Sequence, residues 1–246
     1  DHICITSGAT EALAAAILAT ISQGDEAIIF TPAYDAYAPL IERAGGKVVE
    51  LALQPPGWQV DVMALTAAIT PRTRAIIINN PHNPTGRLFS HAELTAIAAI
   101  ARQHNLIIIA DEVWEHLLLD GQQFTTMLSL PEIADQVIKC GSAGKIFNLT
   151  GWKIGWLVTG DRLAPLVAKA HQFLTFASAP PLQTAIAYGL ENLDARLPSM
   201  RQDFAAARDY LAAGLTAAAY HVLPSDSTYF LCVDLAASGL NVTDII

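Results

Sequence analysis

The sequence predicts an α/β protein in which a mostly parallel sheet is sandwiched by helices. Short β-rich runs alternate with longer helical ones, the pattern of strands joined by helical crossovers. Of the 246 residues, 52% are hydrophobic, enough for a large core and too many for extensive disorder. Three of the strand candidates also run straight into polar or glycine-containing segments, as strands do where a sheet edge carries chemistry.

In chain order, residues 1–5 read as a strand entering a glycine turn, followed by a helix over 10–21. Further strands are predicted at 27–30, 47–51, 75–79, 106–110, 137–140 and 154–158, with helices over 36–44, 60–69, 90–103, 162–173 and 182–190. A long helix over 197–219 follows a break at 192–198, and residues 228–235 read again as a strand. The break predicts a domain boundary near Leu197, giving domains of 1–197 and 198–246. Residues 241–246 read like the start of a helix without a stop signal, and no Met opens the chain, so a fragment of a longer protein is expected.

A formal net charge of −9 and the absence of any Lys/Arg run argue against a nucleic-acid partner. The three cysteines, Cys4, Cys140 and Cys232, are odd in number, widely spaced and set in or beside apolar runs. Buried reduced thiols in a cytoplasmic protein explain them better than disulfides or zinc. The apolar stretch 12–21 is too short to span a bilayer, and no basic-then-apolar leader opens the chain.

The strand at 75–79 leads into Asn80-Pro81-His82-Asn83-Pro84-Thr85-Gly86, where two prolines and a glycine can hold Asn83 rigidly at the sheet edge. A plain turn is the competing reading, with His82 shaping it. The strand at 106–110 leads into Asp111-Glu112, and an acid directly after an apolar run needs a cation or donors nearby. A helix cap or a solvated loop end would be the bland alternative.

The strand at 137–140 leads into Gly141-Ser142-Ala143-Gly144-Lys145. The glycines allow close backbone approach to a ligand, but the spacing is not that of a Walker A loop and Ile146 stands where Ser/Thr is required. Lys145 could be a surface cation, yet its surroundings are unusually apolar: Ile146, Phe147 and then Gly151-Trp152-Lys153-Ile154-Gly155-Trp156. Finally, Thr6-Ser7-Gly8-Ala9-Thr10 is a strand-to-helix junction of small residues, and amides at a helix N-terminus bind phosphates, although many such junctions bind nothing.

Taken together and in this order, Ser7-Gly8-Ala9-Thr10, Pro81-His82-Asn83-Pro84-Thr85-Gly86, Ala110-Asp111-Glu112-Val113 and Gly141-Ser142-Ala143-Gly144-Lys145 resemble the class I aminotransferases. The block Thr150-Gly151-Trp152-Lys153-Ile154-Gly155-Trp156 is most similar to their kynurenine, glutamine and methionine aminotransferase branch. The resemblance covers essentially the whole chain. It implies the large domain of the fold-type I pyridoxal 5'-phosphate enzymes, followed by the start of a truncated α+β small domain.

The resemblance also implies roles. Lys145 is the catalytic lysine that condenses with the cofactor aldehyde and later shuttles a proton between Cα and C4′. Asp111 pairs with the pyridinium nitrogen and Asn83 donates to O3′. Gly8, Ala9 and Thr10, with Ser142 and Lys153, hold the phosphate, and Tyr34 stacks on the ring. The implied reaction moves an amino group from an apolar, sulfur-containing or aromatic amino acid to a 2-oxo acid, in a homodimer.

Trp114 departs from the pattern, because it stands where the family usually has a tyrosine that hydrogen-bonds O3′. An indole N–H donates but neither accepts nor ionises. Either Trp114 simply fills space beside a cofactor held by Asn83, or it retunes the bound cofactor. The family's arginine for the substrate carboxylate is expected beyond residue 246, and its N-terminal arm and partner-subunit aromatic before Asp1. The isolated chain is therefore expected to have at most weak activity. Arg87 matches a variable position and is assigned no role, and His171-Gln172 reads chiefly as an ordinary helix histidine with its neighbour. Two other functions share the same residues: a cysteine-conjugate β-lyase, and a non-catalytic pyridoxal-phosphate sensor domain of a transcription regulator.

Overall fold

The computed structural model describes residues 2–236 and Gly239. The helix start read at 241–246 lies outside the described residues.

Seven strands form the main sheet: β1 (Ile3–Thr6), β2 (Glu26–Thr31), β3 (Lys47–Ala52), β4 (Thr73–Asn79), β5 (Ile107–Asp111), β6 (Val137–Ser142) and β7 (Gly155–Thr159), in the spatial order β1-β7-β6-β5-β4-β2-β3. Strands β3, β2, β4, β5 and β6 run parallel. β7 is antiparallel to both β6 and β1, so β1 points the same way as β6. Gly155 sits in register with Ser142 on one side and Thr6 on the other.

Helices cover both faces: α1 (Gly8–Thr20), α2 (Tyr37–Arg43), α3 (Val62–Ala68), α4 (His91–Gln103), α5 (Ala143–Ile146), α6 (Ala164–Leu174), α7 (Pro180–Glu191) and α8 (Leu197–Ala217). The period of two along the strands sorts the core. Ile28, Ile76, Ile78 and Ile108 pack on one face with Leu65 of α3 and Leu94 and Ile97 of α4. Ala27, Ile29, Ile77, Ile109 and Ile138 pack on the other with Leu13, Ala16 and Ile17 of α1, Ile41 of α2 and Val167 of α6. The alanines of α1 let this helix lie close on the sheet, which fixes where its N-terminus points.

Helix starts follow local chemistry. Asp61 caps α3 by accepting from the amides of Met63 and Ala64, both at 2.9 Å. Ser90 and Glu93 form a capping box at the start of α4.

The strand expected at 228–235 is not formed at that length. Only β9 (Val233–Asp234) is extended and paired, with β8 (His221–Val222). The reason is competing turn chemistry. Thr228 adopts φ 64° and its hydroxyl accepts the Phe230 amide, Ser225 Oγ donates within the same turn, and the Thr228 amide is drawn off to the Leu117 carbonyl. The turn thus docks on residues 117–119 instead of joining a sheet.

Cys140 is buried, whereas Cys4 and Cys232 are only half-buried, and all three are free thiols. No helix among the described residues is long and apolar enough to cross a membrane.

Candidate active site

A cavity opens at the carboxyl ends of β4, β5 and β6, beside the N-terminus of α1. All ten residues singled out in the sequence line it: Gly8, Ala9, Thr10, Tyr34, Asn83, Asp111, Trp114, Ser142, Lys145 and Lys153. Asn79, Val113, Thr150 and Ile154 complete much of the wall.

Asp111 ends β5 and is buried. Its Oδ2 accepts the Tyr37 hydroxyl at 2.6 Å, and its Oδ1 accepts a long bond of 3.4 Å from the Val113 amide. Burial pushes the carboxyl up to about 6, opposed by the Tyr37 and Val113 hydrogen bonds and by the positive charge of Lys145. Burial and the neighbouring Asp111 hold the Tyr37 phenol well above its ordinary range. Tyr37 also meets Tyr34 edge to face, with ring centroids 5.6 Å apart. Glu112, next in sequence, faces away from the cavity: its oxygens accept from the Thr126 hydroxyl at 2.6 Å and the Met127 amide at 2.8 Å, with Lys139 Nζ at 3.4 Å.

The Asn83 loop is anchored by Asn79, whose side-chain oxygen accepts the Asn83 amide at 2.6 Å. His82 is buried, bonded through Nδ1 to Thr85 Oγ1 at 2.8 Å and stacked on Phe89. It shapes the turn, as expected. Arg87 is committed elsewhere, to Glu93 at 2.6 Å and the Trp58 carbonyl at 2.9 Å.

Lys145 sits in α5, the single turn that follows β6 past Ser142. Its Nζ lies 4.8 Å from the centre of the Trp114 ring and 6.0 Å from that of Tyr229. Trp114 is 2% exposed, with Tyr229 and Phe230 packed on it edge to face. It therefore both fills space and presents a π face to the amine.

At the other end, α1 begins at Gly8 with φ 78°, a conformation that favours glycine. A Cβ added there would stand 3.5 Å from Lys153 Nζ, so the lysine's charge lies against the helix N-terminus. Gly155 is required by close approach, because a Cβ on it would come within 2.5 Å of the Ala9 amide nitrogen. The arrangement is a lysine amine, a buried carboxylate and a cationic helix start around one cavity.

The chain matches the family of aminotransferases class I and II over residues 1–244. It belongs to that family. Over 235 residues it is 44% identical to a probable N-succinyldiaminopimelate aminotransferase of Mycobacterium tuberculosis, covering 95% of this chain and 59% of the relative. Over 237 residues it is 38% identical to the methionine aminotransferase of Escherichia coli, covering 96% and 61%. The solved structure of N-succinyldiaminopimelate aminotransferase from M. tuberculosis superposes with a TM-score of 0.96 at 43% identity, over 99% of this chain and 64% of that one. The chain thus spans about three-fifths of the curated relatives it matches.

Class I and II aminotransferases depend on pyridoxal phosphate, and the donor set fits that group. The amides and the Lys153 charge beside Gly8 suit a phosphate monoester. Lys145 suits an aldehyde, and Asp111, whose close partners are neutral, suits a ring cation.

Two residues that hold Asp111 were not singled out from sequence. Tyr37 opens α2 three residues after Tyr34, and its amide donates to the Tyr34 carbonyl at 3.2 Å. Asn79 closes the β4 strand pattern directly opposite Asp111. Their contacts to Asp111 span 74 and 32 positions, so only the fold reveals them.

Proposed function

We propose that the protein carrying this chain moves an amino group from an apolar, sulfur-containing or aromatic amino acid to a 2-oxo acid, using pyridoxal 5'-phosphate. The observation that carries this reading is the meeting of Lys145 and Asp111 in one cavity with the cationic start of α1. When bound, the cofactor supplies an aldehyde for amines and a ring that takes up the electron pair left when Cα loses its proton.

In this reading Lys145 would hold the cofactor through Nζ and, once its amine is free, would serve as the base and acid that moves the substrate's Cα proton. Asp111 keeps the ring nitrogen protonated, with Tyr37 orienting the carboxylate. Asn83 donates to O3′, Tyr34 is the aromatic partner of the ring, and Trp114 walls the side facing Lys145. The amides of Gly8, Ala9 and Thr10, with Ser142 and Lys153, bind the phosphate.

Residues 1–197 are read as the large domain, and 198–246 as the linking helix and the beginning of the second. The mostly exposed α8, touching the large domain's Val113–Leu117 cluster through Met200 and Phe204, supports that division. A homodimer is proposed because Phe173, Phe176 and Tyr188 leave an apolar surface around α6 and α7. A cytoplasmic setting suits the three free thiols.

Borohydride reduction of the full-length protein with pyridoxal phosphate, followed by peptide mapping, should place the label on Lys145. A label elsewhere would overturn the reading. Methionine, kynurenine, glutamine and N-succinyldiaminopimelate should then be compared by the absorbance change each causes. Measuring formation of each donor's 2-oxo acid against pyruvate released with ammonia would distinguish transfer from β-elimination.

A further inference from the structure

We propose that His171 is a positioning residue for the phosphate end of this site, acting through Glu11; the inference rests on the reading of the cavity as a pyridoxal-phosphate site. Helix α1 has no side-chain cap from Ser7 at its start. Glu11, in the first turn, reaches back instead, and one of its oxygens accepts the Ser7 amide. The other oxygen lies 2.6 Å from Nδ1 of His171, in the last turn of α6. A carboxylate has no proton to give, so His171 is the donor. Both side chains are only 9% exposed. Helix α6 packs along α1 through Val167 and Ala170, which brings the imidazole to this place.

The arrangement matters because Glu11 carries a negative charge in the same helical turn that offers its amides to the cavity. A carboxylate there competes with a phosphate for the positive helix end. His171 fixes the Glu11 carboxylate on Ser7, outside the stretch Gly8–Thr10 that lines the cavity. Released from that bond, the carboxylate is free to turn toward the amides of Ala9 and Thr10 and occupy them itself. His171 thereby keeps the phosphate site open without touching the phosphate.

The test compares pyridoxal phosphate with pyridoxal, which has the same aldehyde and ring and no phosphate. Dissociation constants are measured on the full-length protein by equilibrium dialysis. His171→Leu should weaken pyridoxal phosphate about tenfold, the scale of one charge at a helix N-terminus, and leave pyridoxal unchanged. His171→Asn, which keeps a donor near the Nδ1 position, should restore most of the loss. The double variant His171→Leu with Glu11→Gln should also recover, because the competing charge is gone. Should His171→Leu not fold, His171→Gln and its pairing with Glu11→Gln carry the same comparison. An equal loss for both ligands, or no loss for either, overturns the positioning role while the cofactor assignment stands. Failure of the unaltered protein to bind pyridoxal phosphate overturns both.

Discussion

Asn79 and Asp111 face each other across β4 and β5, and the Asn79 amide nitrogen donates to the Asp111 carbonyl at 3.0 Å. Its oxygen takes the Asn83 amide, so one buried side chain fixes two loops of the site relative to each other.

Asn79→Ala should therefore lower stability by about 1–3 kcal/mol, since it takes the partner from the half-buried Asn83 amide and leaves the Asp111 carbonyl with the Asn80 amide alone. It should also weaken cofactor binding by freeing the Asn83 loop. Urea unfolding and a cofactor titration measure the two effects. An unchanged unfolding midpoint would show that water or relaxation replaces the lost bonds.

Asp111 gives a pH dependence with a definite sign. Its folded carboxyl, held up to about 6 from 3.8, binds more protons than the unfolded chain between those values. Stability from this group is therefore full below pH 4 and lost as pH rises through 6. In the cofactor-free protein, Asp111→Asn should raise stability above pH 6 by up to about 3 kcal/mol and change little below pH 4. With cofactor bound the same change should be unfavourable. Thermal melts across pH 4 to 8, with and without pyridoxal phosphate, decide it. A benefit of the same size at both pH extremes would show that the carboxyl's titration is not its source.

Trp114 is large, buried and under the Lys145 amine, so two substitutions separate packing from chemistry. Trp114→Ala should lower stability by about 3–5 kcal/mol. Trp114→Tyr keeps an aromatic wall and adds a hydroxyl; a donor to the ring oxygen favours its ionised form. The pH at which bound cofactor changes absorbance should then move down by about one unit. An unaltered titration curve would leave Trp114 with packing alone.

His82 works in the opposite pH direction to Asp111. Burial, aided by the Arg87 charge, lowers its imidazole to about 4. The neutral ring stabilises the fold above about pH 6.5, and that contribution is lost as pH falls toward 4. His82→Asn should cost stability at pH 7 yet flatten the acid side of the profile. Parallel loss in both proteins between pH 6.5 and 4 would assign the acid sensitivity to other groups.

Where the sequence was legible, the information was local. Ile76–Ile78 and Ile107–Ile109 announce strands, and the Asn83, Asp111 and Lys145 loops follow strands whose parallel pairing brings their ends to one edge. What stayed hidden depends on distant partners. The run 228–235 has strand-like residues, but Thr228 spends its amide on Leu117 in a left-handed turn. Likewise His171 looks like any helix histidine until α6 lies against α1 and Glu11, 160 positions away, comes within 2.6 Å. No periodicity encodes such a pair.

The register at Gly155 works as a ruler. With Thr6 on one flank and Ser142 on the other, two inter-strand spacings of about 4.8 Å set the gap between the backbone that leads to α1 and the backbone that leads to Lys145. The reach from amine to anion site is thus a lattice constant of the sheet and independent of loop length. Variation in the loops can retune which molecules enter, while a slip of one residue along β7 would turn the opposing faces over and dismantle both ends at once.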